Sequence, residues 1–255
     1  MSKKLSTKYL KSNEIESMEN VSFIRKQKRK PNTALSNLQL KEIHPLTENQ
    51  GKVFNAYKHT DKHLILTGCA GSGKSFISLA LALQDLFYGD NGYEKIIIIR
   101  SLSPGKLVGF LPGGIGEKQE PYFAPYYEML YELFSRGDAA EILLKRDIIQ
   151  FENTAFLRGI TFNNAIVIVD EFQSANFHEL DTIASRLGNN SRILFCGDHA
   201  QSDLIYNRND VSGYPEFMKI LSNMNEVDIT SFQVEDIVRS GFVKNYIIEK
   251  MKLGL

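Results

Sequence analysis

The sequence is short of several things, and each shortage closes a direction. It has two cysteines, Cys69 and Cys196, too few for the disulfide framework that holds small secreted domains together. Its opening residues, Met1-Ser-Lys-Lys, carry no apolar segment of the secretory kind, so a reducing cytoplasm is the expected location. No apolar run approaches the ~20 residues needed to cross a bilayer, which argues against a membrane protein. Charge of one sign is not in excess: Lys+Arg and Asp+Glu are both 30, so the whole-chain balance selects no polyanionic partner. The five histidines, His199 among them, are scattered and form no zinc-ligand spacing with the two cysteines. There is no internal repeat and no low-complexity tract.

What is present is ordinary globular material, 43% hydrophobic and 24% charged over 255 residues, enough for one sizeable core and tight for two. The charge is uneven along the chain. Residues 1–43 hold ten Lys/Arg against four Glu, with the run Arg25-Lys-Gln-Lys-Arg-Lys30 and then Pro31. This reads as a mobile basic arm, and two roles stand for it: a solvated tail, or a nucleic-acid contact. From residue 44 the composition turns globular. Thr47 is a good N-cap with Gln50 three residues on, the spacing of a capping box.

Short apolar runs alternate with longer helical or loop segments. His63-Leu-Ile-Leu-Thr67, Lys95-Ile-Ile-Ile-Ile-Arg100, Ala165-Ile-Val-Ile-Val-Asp170 and Arg192-Ile-Leu-Phe-Cys-Gly197 are expected to be buried strands. Ile148–Glu152 and Glu226–Ile229 are further strand candidates. The spacers are long enough for crossovers, so the expected fold is α/β, a mainly parallel sheet covered on both faces.

Directly after the first strand comes Gly68-Cys-Ala-Gly-Ser-Gly-Lys-Ser75, four constrained positions that average composition meets by chance roughly once in a hundred chains of this length. Glycines let successive N–H groups of Gly68, Cys69, Ala70, Gly71, Ser72 and Gly73 turn inward around a β-phosphate at a helix N-terminus. Lys74 then reaches the β/γ oxygens and Ser75 ligates magnesium. The third strand ends in Asp170-Glu171, at the strand edge where open α/β sheets bind ligands. Asp170 is the expected second magnesium contact and Glu171 the group that polarises the attacking water. The fourth strand runs into Gly197-Asp-His-Ala-Gln201; the Gln201 amide can donate to a phosphate oxygen and accept from water at once, which suits a γ-phosphate sensor.

These segments resemble the PhoH-like P-loop ATPases, whose core is similar to the first RecA-like domain of superfamily 1 helicases. The resemblance spans about Leu46 to Lys250. It is carried by the P-loop, Arg100–Gly113, Glu117–Tyr126, Phe156-Leu-Arg-Gly159, Val169-Asp-Glu-Phe-Gln173, Gly197–Leu204 and Asp236-Ile-Val-Arg-Ser240, in that order. It implies a three-layer RecA-like domain over residues 44–255 that hydrolyses ATP with Mg²⁺ in a ring-forming homo-oligomer, a hexamer among the options. It further implies an adenine contact from Gln50, alongside that residue's helix-capping role, and a charge-stabilising arginine at Arg239, against the plainer reading of an exposed helix charge. The segment after the second strand resembles the region where helicases touch nucleic acid. Arg100, Lys106 and Lys118 could meet phosphates of RNA or single-stranded DNA, and Tyr122, Tyr126 and Tyr127 could stack on bases, although their helical spacing also fits ordinary packing, the preferred reading for at least two of them.

Two functions follow: ATP hydrolysis coupled to RNA or single-stranded DNA, or an ATP-dependent switch that binds a partner without unwinding. The Asp-Glu pair and the Gly-Asp-x-x-Gln segment argue against a small-molecule kinase.

Overall fold

Four consecutive isoleucines, Ile96 to Ile99, cannot all face one side of a strand, because side chains alternate across a sheet. In the computed structural model Ile96 and Ile98 pack into one core and Ile97 and Ile99 into another on the opposite face. The structure describes residues 37–101, 115–154, 157, 159–198 and 212–253, with the side chains of 115–122 excepted.

The chain runs α1 (Glu48–His59), β1 (His63–Gly68), α2 (Lys74–Tyr88), β2 (Lys95–Arg100), α3 (Ile115–Phe134), α4 (Ala139–Lys145) and β3 (Ile149–Asn153). It continues through β4 (Ala165–Asp170), α5 (Phe177–Ser185), β5 (Arg192–Gly197), α6 (Tyr214–Leu221), β6 (Val227–Phe232) and α7 (Gly241–Lys252). The six strands form one sheet in the order β3-β2-β4-β5-β1-β6. Every neighbouring pair is parallel. Residues of α1 to α4 pack on one face with Leu64, Leu66, Ile166, Ile168 and Leu194. Residues of α5 and α6 cover the other with Ile65, Val167, Val169, Ile193 and Phe195. The result is the three-layer RecA-like arrangement, with β5 inserted between the P-loop strand and the strand that ends in Asp170.

The four central strands fall where the apolar runs place them. The two edge strands are displaced by a residue or extended: β3 is Ile149–Asn153 and β6 runs on to Phe232. Edge strands bury less, and β6 leaves Ile229 exposed while burying Val227 and the polar Thr230, so its apolar signal is diluted. The folded body also begins earlier than the composition suggests. Leu38 and Leu40 are buried, and the Lys41 N–H donates to the Leu133 carbonyl at 2.9 Å. The last residues assigned to the basic arm therefore belong to the core; residues 1–36 lie outside the described part.

One buried charge fastens α1 to the sheet. Arg192, 3% exposed at the start of β5, donates from Nη1 to the Tyr57 carbonyl (2.8 Å) and from Nε to the Lys62 carbonyl (2.9 Å). Its guanidinium also lies 4.0 Å above the Tyr57 ring. The guanidinium sits against the negative end of α1 and satisfies carbonyls that the helix terminus leaves open. Arg192→Met, of similar length and without donors, is expected to cost about 3 kcal/mol in urea unfolding, because a buried and a part-buried carbonyl lose their partner. A loss below about 0.5 kcal/mol, the range of ordinary surface changes, would contradict this account.

Parallel pairing brings the strand ends to one edge. Thr67 is in register with Gly197, and Asp170 with Cys196. The loop after β1, the carboxylates after β4 and Asp198 after β5 thus converge at the carboxyl end of the sheet, where open α/β folds place ligands.

Candidate active site

The loop between β1 and α2 owes its shape to glycine. Gly68, Gly71 and Gly73 have φ of 104°, 74° and 82°, values that side-chain-bearing residues rarely adopt. At Gly68 a Cβ would also run into the Phe232 backbone of β6. The chain then enters α2 from Gly73, and the helix N-terminus points its free N–H groups at the loop's concavity. The loop is braced from two sides. Gln50 of α1 donates from Nε2 to the Ser72 carbonyl at 2.9 Å, and the Val238 N–H donates to the Gly71 carbonyl at 3.0 Å.

Lys74 is 8% exposed and folds back on this loop, donating to the carbonyls of Gly68 (2.7 Å) and Cys69 (2.8 Å). Burial pulls its ammonium below the ordinary lysine range, opposed by the negative groups around it, Asp198 foremost. Ser75, one residue on, donates from Oγ to Asp170 Oδ1 at 2.6 Å. A hydroxyl and a carboxylate this close are hard oxygen donors of the kind magnesium takes when it fills its other positions with water and phosphate. Among the described residues no cluster of three or more His, Cys, Asp or Glu forms a metal cage.

Glu171 departs from β4 with φ 54° and ψ 39°, a left-handed conformation that costs a residue with a side chain on the order of 1 kcal/mol. Phe172 anchors the turn, fully buried against Phe195 and Tyr214 with ring centroids at 5.5 and 5.0 Å. Both Glu171 oxygens have company. Gln173 Nε2 donates to Oε2 at 2.6 Å, and Arg100, at the end of β2, lies 3.9 Å from Oε1. Burial, reinforced by neighbouring Asp170, lifts the Glu171 carboxyl above the usual glutamate range against the pull of Gln173, Arg100 and Lys74.

Of the residues singled out in the sequence, Gly68 to Ser75, Asp170, Glu171, Gln50 and Arg239 meet at this edge. Gln50 does cap α1, but not by a full capping box: its N–H donates to Thr47 Oγ1 at 3.3 Å, while its Oε1 accepts from the Leu46 N–H at 2.8 Å. Arg239 is exposed and lays its stem over Gly71 of its own chain, where a Cβ would come within 2.9 Å of Arg239 Cγ. The segment leading to it is tied to α1 through Asn49 Nδ2, which donates to Asp236 Oδ2 at 2.7 Å. Gln201, His199, Lys106 and the side chains of Lys118 and Tyr122 lie outside the described residues. Of the two readings of the tyrosines, Tyr126 follows packing: it is wholly buried and stands edge-on to Phe151. Arg100 lies beside Glu171. Burial is the leading cause that raises the thiols of both half-buried Cys69 and fully buried Cys196.

Sites of this design occur in many nucleotide-binding proteins, and the order of the segments around it is narrower. The family model described as PhoH-like protein matches residues 42–251. The chain belongs to the PhoH-like family. The PhoH-like protein of Bacillus subtilis (strain 168) is 32% identical over 209 residues, covering 81% of this chain and 63% of that protein. Protein PhoH of Escherichia coli (strain K12) is 35% identical over 199 residues, covering 76% and 55% respectively. This PhoH-like chain thus matches between half and two thirds of the length of these curated relatives. Among solved structures, the large terminase from a thermophilic bacteriophage superposes with a TM-score of 0.47 at 12% identity, over 80% of this chain and 50% of that one. No helix among the described residues of the PhoH-like chain is long and apolar enough to cross a membrane.

Two residues of the site, Gln173 and Arg100 in its role toward Glu171, escape the sequence. Gln173 stands in a segment that carries the family resemblance, but no spacing rule says that its amide turns inward. Arg100 meets Glu171 only because β2 and β4 are neighbours with Arg100 opposite Asp170.

Proposed function

We propose that this chain hydrolyses ATP with magnesium and couples the reaction to RNA or single-stranded DNA as a homo-oligomer. The observation that carries the hydrolytic reading is the 2.6 Å contact between Ser75 Oγ and Asp170 Oδ1, beside Lys74 and Glu171, at the mouth of a P-loop. Ser75 and Asp170 would hold the magnesium ion, which on binding supplies charge neutralisation to the β- and γ-phosphates. The loop N–H groups and the start of α2 would cradle the phosphates. Lys74 exchanges the carbonyls of Gly68 and Cys69 for phosphate oxygens, an exchange that its three rotatable donors permit. Glu171 orients the attacking water and takes up its proton.

Arg239, whose stem lies over Gly71 of its own chain, would stabilise negative charge developing on a nucleotide, in an oligomer that of a neighbouring subunit. Gln50, bound to Ser72 on the far side of the loop, would read an adenine edge by giving up that contact. Support for a nucleic-acid partner comes from the basic run Arg25–Lys30 and from the helicase-like order of the motifs. The domain assignment proposed is an arm ending before Leu38 and one ATPase domain after it.

The test is ATP turnover measured with and without oligo(U) and oligo(dT) over a range of salt concentrations. Stimulation that weakens as salt rises is expected, since phosphate contacts release counterions. A rate that no polymer changes at any salt would end the coupling to nucleic acid and leave the hydrolysis standing.

A further inference from the structure

Gln173 is 0% exposed, three residues past Asp170, and its amide bridges two parts of the site. Nε2 donates to Glu171 Oε2 at 2.6 Å, while Oε1 accepts from the Asp198 N–H at 3.0 Å. The first partner is the carboxylate expected to act on water. The second is the first backbone group past the end of β5. The approach is tight enough to shape the neighbouring strand: a Cβ on Gly197 would stand 2.5 Å from Gln173 Oε1 and 2.7 Å from the Phe172 ring. Glycine at 197 is therefore what lets the amide reach the strand end. The turn is held from outside as well, by Ser212 Oγ donating to the Gln173 carbonyl at 2.7 Å.

We propose that Gln173 is a positioning residue that fixes one oxygen of Glu171 and locks the carboxylate to the carboxyl end of β5. The inference rests on the hydrolytic reading above. Glu171 sits in a left-handed turn, a conformation that persists only where its surroundings over-determine it. Phe172 supplies the apolar half of that restraint and Gln173 the polar half. With Oε2 committed to the amide, Oε1 is the oxygen left to face the reacting water, and it is also the one nearest Arg100. A glutamine suits the position because its amide donates to a carboxylate through one atom and accepts from an N–H through another, which a carboxylate or an ammonium cannot do. The chain of contacts Glu171–Gln173–Asp198 further joins the water-polarising group to the segment that leads on toward residue 201.

Two variants separate the halves of the bridge. Gln173→Glu keeps an acceptor for the Asp198 N–H and loses the donor to Glu171, while Gln173→Met keeps the length and loses both. Each is expected to lower kcat by about 30-fold, in line with the cost of misplacing a reacting group by roughly 1 Å, with ATP affinity changed less than about twofold. In a Glu171→Gln background the further change Gln173→Met should cost less than about twofold, because a residue acting through Glu171 has nothing left to position. Losses that multiply in the double variant, or ATP affinity and melting temperature falling in step with kcat, would show a merely structural amide. The crystal structure of Gln173→Met provides a readout without turnover: the Glu171 carboxylate should leave its present place. A carboxylate found unmoved overturns the proposal even if the native chain proves not to hydrolyse ATP, an outcome that would by itself defeat only the hydrolytic reading.

Discussion

Glu171→Gln is expected to bind ATP as tightly as the native protein and to turn it over about a thousandfold more slowly, the usual scale for loss of a general base. The substitution is nearly isosteric, so the left-handed turn and the packing of Phe172 are retained. What it removes is the negative oxygen that, on the proposed mechanism, accepts a proton from water. The P-loop contacts are untouched, because the bonds from Lys74 to the Gly68 carbonyl and from Ser75 to Asp170 involve no atom of Glu171. The result to look for is a split: unchanged equilibrium binding of ATP together with a collapsed single-turnover rate. Turnover within about threefold of native would remove Glu171 from the chemistry, and the strain at φ 54° would then need another explanation.

Lys74→Ala should fail earlier, at binding. Lys74 supplies the positive charge at the centre of the loop, and its ammonium is buried, at a desolvation cost that pulls its pKa below the ordinary lysine range. Removing a buried charge relieves that cost, so the variant's melting temperature in the absence of nucleotide should equal or slightly exceed that of the native chain. Its response to ATP should vanish. The native protein gains about 2.7 kcal/mol when ATP is present at a hundred times its dissociation constant, and Lys74→Ala should gain none of it. A thermal-shift titration reads both statements at once. A variant that melts well below the native chain without nucleotide would mean that the bonds from Lys74 to Gly68 and Cys69 serve the fold more than the ligand.

How far the sequence carries depends on whether a feature is local. The P-loop is local: eight consecutive residues specify a turn, a helix start and a charge, and the structure forms the loop with glycine at each left-handed position. The central strands are nearly as legible, because a parallel strand buried on both faces must be apolar at every position, as Ile96 to Ile99 are. Edge strands are less so, since β3 and β6 bury part of their surface and dilute the pattern. The start of the folded body was hidden for a related reason. Leu38 and Leu40 are two apolar residues in a polar stretch, and what makes them core is packing against elements far along the chain, as the Lys41–Leu133 bond records.

The tyrosines show the limit in another way. A helical spacing of Tyr122, Tyr126 and Tyr127 suits both packing and base stacking, and periodicity is blind to which side of a helix meets the sheet. Phe151 of β3 settles it for Tyr126, and Tyr127 likewise stands edge-on to that ring at 5.8 Å.

By itself, then, the sequence determined that this chain holds a phosphate loop on an α/β sheet and that two carboxylates follow a buried strand, because each is written in neighbouring residues. Only the tertiary structure decided what surrounds the carboxylates. Strand order put Arg100 opposite Asp170 and brought β5 beside β4, and the turn around Phe172 sent the Gln173 amide inward to join Glu171 to Asp198. Those are contacts between segments up to some 70 residues apart in the chain, fixed by register and burial, and no local pattern encodes them.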